Sequence, residues 1–328
     1  MTRLWPFLAL LAIGGAWGLS NPLIKLAIEA GYRPLGILSW QLVLGSALLA
    51  GWLWLGRRGA RGPLLPLGPA EIRLYVAVAS LGMVVPHFFS YTALGHLPSG
   101  VVSIIVSMVP LFALPLVLVL GMERFEPLRL VGLGLGAGAV VLLIAPEASL
   151  PETAAVAFVL VAMLTPLCYA LESAYVAGRG SRRAGPMQTL LGAQILGLGV
   201  VLPLALATGQ AASPLRAWGA PELAIAATGV ISPLAYAGYV ALLRATGPVF
   251  AAQVAYLVTG SGILWAMTLL GERYSVWVWA ALGLLFAGLF LVQPRPTLPA
   301  VVRGAASSPG PAAAPGAAAT EGPASGAP

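Results

Sequence analysis

Aspartate is missing from this 328-residue chain; lysine, asparagine and cysteine occur once each, as Lys25, Asn21 and Cys168, and histidine only as His87 and His96. Each scarcity closes a route. A phosphate-cradling loop of the G-x-x-x-x-G-K-[ST] kind needs its lysine and an aspartyl-phosphate pump its aspartate, and neither can be built here. One thiol excludes an internal disulfide, and two histidines beside it argue against a dedicated metal site. No cofactor or metal is expected, and any work the protein performs is expected to be driven by gradients.

Charge is scarce too, at 8% of residues where a soluble domain carries about 25%. With 59% hydrophobic residues and a mean hydropathy of +0.93, the chain reads as an all-α integral membrane protein. A spanning helix needs roughly 20 apolar residues to cross a hydrocarbon core about 30 Å thick. Runs separated by Pro, Gly and Arg supply ten candidates: residues 4–29, 35–56, 71–94, 99–120, 128–145, 154–177, 186–208, 221–244, 248–270 and 276–293. The remainder, 295–328, is rich in Ala, Pro, Gly and Ser and is expected to be a disordered tail. The net charge of +7 does not point to nucleic acid, because the arginines cluster between the apolar runs instead of lining one polar face.

Those arginines set the expected orientation. With the N-terminus in the cytoplasm, thirteen of them fall inside and only Arg33, Arg216 and Arg273 outside, with Lys25 within a helix. Such a bias predicts an even number of spans, with both termini cytoplasmic in the inner or plasma membrane. Gly14-Gly15-Ala16 is a passable signal-peptide cleavage site, but cleavage would leave nine helices and spoil the charge count, so the first segment is read as a helix.

Two stretches are near copies. Tyr91 to Glu123 and Tyr239 to Glu272 each run from an aromatic start through an apolar helix into a Gly-Glu-Arg type of loop, Gly121-Met122-Glu123-Arg124 and Gly271-Glu272-Arg273. Half a chain separates them, which predicts two five-helix repeats over residues 1–146 and 147–294. An odd number of helices per repeat makes the second upside down relative to the first, the arrangement that supports alternating access in transporters. Glu123 and Glu272 precede helices five and ten, where a capping role is the simpler reading.

Polar side chains are costly in hydrocarbon, so their distribution marks the helices that face a cavity. Trp17, Asn21 and Lys25 recur every four residues on helix one, and His87 and Tyr91 do so on helix three. Helix four carries Ser103 and Ser107, helix six Tyr169, Glu172 and Tyr175, helix eight Ser232, Tyr236 and Tyr239, and helix nine Gln253 and Tyr256. Prolines in helices one, three, six and eight are expected to free carbonyls and create bending points. Helices five and ten instead carry small residues, Gly132, Gly136 and Gly288 among them, and read as packing struts or a homodimer face. Lys25 either meets an anionic group of a substrate or snorkels to the outer interface; Glu172 either carries a coupling proton or snorkels toward Arg179.

Taken with Trp17-Gly18, Asn21 and Lys25 in helix one, Pro110 in helix four and the two Gly/Glu/Arg loops, the chain resembles the drug/metabolite transporter superfamily, in particular its EamA-type ten-helix members. The resemblance covers residues 4–293. It implies two inverted five-helix halves around a cavity lined by helices one, three, four, six, eight and nine, the six that carry the polar stripes. Gln41, where such proteins commonly have arginine, and the Gly-Met-Glu form of the first loop depart from the pattern. The expected function is export of a small organic metabolite, an amino acid or related compound, by a secondary transporter. Trp17, Asn21, Lys25, His87, Tyr91, Ser107, Tyr169, Glu172, Tyr236, Gln253 and Tyr256 are the candidate substrate-binding residues. The rival readings are an intramembrane enzyme acting on a lipid and a sensory or scaffolding membrane protein.

Overall fold

A computed structural model describes residues 4–56, 63–121, 126–144, 155–179, 183–211 and 217–292. The expected tail at 295–328, Glu123 and several of the counted arginines lie outside them. Backbone groups in hydrocarbon must find their partners within the segment, and every described apolar run is helical accordingly.

Ten rods result: α1 (Trp5–Glu29), α2 (Pro34–Gly56), α3 (Pro69–Leu94), α4 (Ser99–Val119), α5 (Pro127–Ile144), α6 (Ala155–Arg179), α7 (Pro186–Ala207), α8 (Ala220–Thr246), α9 (Pro248–Ala251 with Gln253–Leu269) and α10 (Val276–Val292). Eight are long and apolar enough to cross a membrane, and two further apolar helices, Gln253–Leu269 and Val276–Val292, are shorter. Their ends fall within two residues of those expected from sequence. Prolines 34, 69, 127, 186 and 248 each start a rod, where the missing N–H costs nothing and the fixed φ is already helical.

Breaks occur in α1 at Leu19, ahead of Pro22; in α3, as a π-helical turn over Ser80–Val84 ahead of Pro86; in α4 at Ser107 and Met108, ahead of Pro110; and in α9 at Ala252. In contrast to the expectation for helices six and eight, α6 runs unbroken through Pro166 and α8 through Pro233. A proline removes one helical hydrogen bond, but the packed neighbours of these rods keep the helix course without a break.

The principal pairings map onto themselves when five is added to each helix number. Helix α1 packs on α8 and α9, as α6 packs on α3 and α4; α2 packs on α8, as α7 packs on α3; and α2 with α7, α4 with α9, and α5 with α10 pair across the pseudo-two-fold. Almost every large contact therefore joins one half to the other. Glycine permits the closest approaches: a Cβ on Gly18 would lie 2.2 Å from Ser261 Oγ, and one on Gly132 would lie 2.7 Å from the Gly288 carbonyl oxygen. The small-residue faces of helices five and ten are thus partners within one chain, the strut alternative of the sequence reading.

Symmetry fails in several smaller contacts, α2 with α3 and α4 with α10 among them, and one failure bears on the ends of the molecule. The half of α1 beyond Leu19 packs on the far ends of α3 and α4, whereas the equivalent part of α6 has no packed interface with α8 or α9. At the end of the molecule bearing residues 30–33, 95–98 and 270–275, Ile24, Ala27, Leu94, Leu97 and Val101 form a seal closed to solvent. Among the described residues, the opposite end has no matching closure between α6, α8 and α9.

Candidate functional site

Inside the unsealed end, five of the sequence-predicted residues come together. Successive turns of α3 bring His87 and Tyr91 to one side, and their rings meet edge-on with centroids 5.4 Å apart. Tyr169 of α6 faces His87 across 6.4 Å, also edge-on. Glu172, one turn further along α6, lies within electrostatic range of Tyr169 and of Tyr236 on α8.

Local backbone makes room for the carboxylate. It rests against the π-helical turn of α3 at Gly82, where a Cβ would lie 2.8 Å from Glu172 Cδ. Any other residue at position 82 would push Glu172 away. Among the described residues this carboxylate has neither a hydrogen bond nor an ion pair.

The rest of the cluster is tied into a directed chain. Tyr91 donates its hydroxyl to Gln41 Oε1 at 2.6 Å, Gln41 donates Nε2 to Thr228 Oγ1 at 2.6 Å, and Thr228 donates to the Ile225 carbonyl at 2.8 Å. Three helices, α3, α2 and α8, are thereby joined. His87 Nδ1 lies 2.6 Å from the Met83 carbonyl, and since a carbonyl only accepts, Nδ1 carries the hydrogen and Nε2 is left as an acceptor.

The other candidates sit elsewhere. Lys25 donates to the carbonyls of Leu94 at 2.8 Å and Leu97 at 3.2 Å, with Glu29 at 3.6 Å, so its ammonium fastens the turn between α3 and α4 at the sealed end. Asn21 donates to Ser103 Oγ at 3.0 Å in the same seal. Ser107 bonds back to the Ile104 carbonyl of its own helix. Trp17 packs on a small core formed by Leu10, Ile13, Ala235, Leu242 and Val254. Tyr256 stands edge-on to Phe286 of α10 at 5.3 Å. Gln253 lies on the first turn of the longer segment of α9.

Residues that sequence reasoning passed over include Thr228 and Gly82, and Glu272, expected to cap helix ten, bonds elsewhere. Glu272 does not cap α10; its oxygens accept the Ser99 amide at 2.8 Å and the Gly100 amide at 3.3 Å, at the start of α4. Tyr274 donates to Glu272 and accepts from the Gly100 amide at 3.1 Å. A further clasp at the same end joins Tyr32 to Glu222 across the halves. Among the described residues, no three His, Cys, Asp or Glu side chains gather in a way that could hold a metal ion.

Two symmetry-related helical halves around a polar cluster, with α1 packed on α3 and α4 at one end and no matching closure among the described residues at the other, have the architecture of a membrane transporter. The sequence matches the EamA-like transporter family over residues 4–145 and again over residues 156–293, and the chain belongs to that family. It is 28% identical over 319 residues to the inner membrane transporter YedA of Escherichia coli K12, covering 92% of this chain and 97% of the relative; YedA of Escherichia coli O157:H7 matches to the same extent. A solved crystal structure superposes with a TM-score of 0.58 at 18% identity, covering 89% of this chain and 98% of its own, a likeness of fold. Membership in a transporter family sets aside the enzyme and scaffold readings.

Proposed function

We propose that this protein exports a small organic metabolite, an amino acid or related compound, by alternating access to the cluster around Glu172. The broken symmetry carries this reading: α1 closes on α3 and α4 at one end while α6 stands apart from α8 and α9 at the other. Exchanging those two arrangements, each half adopting the packing of the other, moves the opening from one side to the other without moving the site.

The arginine bias supports an orientation with the unsealed end and both termini in the cytoplasm, and the inner-membrane naming of the Escherichia coli relatives supports the choice of membrane. A site open to the cytoplasm loads there, which supports outward movement. His87, Tyr91, Tyr169, Glu172 and Tyr236 make the first contacts. Trp17, Ser107, Gln253 and Tyr256 line the route when the seal opens, and Asn21 and Lys25 hold the seal and let go of their present partners as it does. The two repeats that exchange their packing are residues 1–146 and 147–294. A homodimer would use the outward faces of α5 and α10, where Gly134 and Gly283 have open space beside them.

Counterflow in liposomes containing the purified chain, with a panel of labelled amino acids, amines and organic acids, tests the function. Exchange of unmodified solute is expected. Chemical conversion, or no movement of any solute, overturns it.

A further inference from the structure

We infer that the solute carried is an organic cation, bearing a protonated amine or quaternary ammonium group, which Glu172 binds in exchange for a proton. This rests on the transporter reading above and names the substrate class of the same site.

The charge inventory of the interior is one-sided. Glu29, Glu71 and Glu222 stand at rod ends, whereas Glu172 is seven residues inside the end of α6. Lys25 is held by two carbonyls and Glu29 at the sealed end. Arg73, Arg179 and Arg244 are exposed near rod ends, and Arg129 is a buried residue on the first turn of α5, on the far side of α4 from the site. Among the described residues, an anionic solute entering the cluster meets no fixed cation. A cationic solute meets its complement.

Hydrogen bonding points the same way. Four donors of the cluster are already directed elsewhere, Tyr91 to Gln41, Gln41 to Thr228, Thr228 to Ile225 and His87 Nδ1 to Met83, and the Tyr169 and Tyr236 hydroxyls are the donors that remain. Acceptors outnumber those two hydroxyls, namely the Glu172 oxygens, His87 Nε2 and the Tyr91 oxygen. Tyr169 and Tyr236 add ring faces, whose negative centres attract ammonium groups. Carboxylate, acceptors and aromatic faces together recognise an ammonium group.

Among the described residues no lysine or arginine is paired with the Glu172 carboxyl, whose counter-ion is then a proton or the bound solute. When the ammonium arrives, the carboxyl O–H breaks, its electron pair stays on oxygen, and the proton leaves to water through the unsealed end. No covalent bond forms to the solute. The titratable and charged groups around Glu172 are Cys168, Tyr169, Tyr175 and Arg179 on its own helix, Tyr75, His87 and Tyr91 on α3, and Tyr236, Tyr239 and Arg244 on α8; the described part of α4 carries none.

The test uses the full chain in detergent and three probes of similar size: phenyltrimethylammonium, phenylacetate and benzyl alcohol. Binding is followed by intrinsic fluorescence, and proton release by an indicator in weakly buffered solution. Phenyltrimethylammonium is expected to bind at least about tenfold tighter than the other two, releasing a proton for each cation bound. Glu172→Gln should abolish the release and weaken cation binding by about tenfold or more, while unfolding at the temperature of the wild type; Glu172→Asp should keep the release. Tighter binding of phenylacetate or benzyl alcohol overturns the inference, as does a Glu172→Gln protein that binds the cation as wild type does. If counterflow moves other unmodified solutes but the cation neither binds nor moves, the inference falls and the transporter reading stands; if nothing moves, both fall.

Discussion

Glu272 of the second half caps the first turn of α4 in the first half, accepting the amides of Ser99 at 2.8 Å and Gly100 at 3.3 Å. The opening amides of a helix have no partner within it, and a carboxylate there also meets the positive end of the helix dipole. The turn between α9 and α10 must lie against α4 for these bonds to exist, so they belong to the sealed arrangement. Glu272→Ala should weaken the seal by about 0.5–2 kcal/mol, the usual loss for a helix cap, which lowers the ratio of sealed to open molecules by roughly 2- to 30-fold. The measurement is the rate of thiol labelling at Ser103→Cys in a Cys168→Ala background. Faster labelling with Glu272→Ala is expected; an unchanged rate would remove the cap from the gate.

Gly100 is fitted to Tyr274. A Cβ at position 100 would lie 2.2 Å from Tyr274 Oη and 2.6 Å from Cζ, so Gly100→Ala must displace the ring that braces Glu272. Overpacking of this kind costs about 1–3 kcal/mol, to be read as a lowered unfolding temperature. Adding Tyr274→Ala should recover part of the loss, since neighbours are not additive; a fully additive pair would contradict the steric account. Burial, together with the hydrogen bond to Glu272, raises the Tyr274 phenol above its usual range. The folded state therefore holds this proton more tightly than the unfolded chain. That contribution is intact below the ordinary tyrosine range and fades only as pH climbs past it, so stability from neutral to mildly alkaline pH should have no Tyr274-dependent step.

The ten rods could be read from sequence because the hydrocarbon permits little else: apolar runs of sufficient length must be helical, and Pro and Gly punctuate them. The polar stripes of α3 and α6 were legible for a related reason, since His87, Tyr91, Tyr169 and Glu172 would be expensive facing lipid. Partner choice was not legible. Lys25 and Glu172 look alike as isolated charges in apolar runs, yet one is held by carbonyls of a turn about seventy residues away and the other has no described partner. Glu272 stands just ahead of α10 in sequence but caps α4, because Gly271, at φ 66°, turns the chain away after α9. Gln41 drew notice only as a departure from a family pattern, while its place between Tyr91 and Thr228 depends on three helices meeting. These are tertiary facts, and no local spacing encodes them.

Where α5 crosses α10, Gly132 and Gly288 face one another, each leaving less than 3 Å for a Cβ before the other's carbonyl oxygen. Such contact depends on backbones approaching within the reach of dispersion forces, since lipid gives no hydrophobic drive between helices. Gly132→Leu should force the two rods apart and lower the unfolding temperature, again by about 1–3 kcal/mol. Gly134→Leu, with open space beside it, serves as the control. Equal loss in both variants would mean that the α5 to α10 contact is not the cause.

Lys25 separates two kinds of lysine by the pattern of what is lost. Its ammonium bonds the Leu94 and Leu97 carbonyls, and Lys25→Met keeps the apolar stem while removing those donors. A buried polar group left unpaired costs about 1–3 kcal/mol, and here the cost falls only on the sealed arrangement. Counterflow by Lys25→Met should therefore fall for every solute the wild type carries, in similar proportion, and thiol labelling at Ser103→Cys should quicken alongside. A lysine that touched substrate would behave otherwise, losing anionic solutes selectively and leaving the labelling rate alone. That second pattern would return Lys25 to the binding site and remove it from the gate.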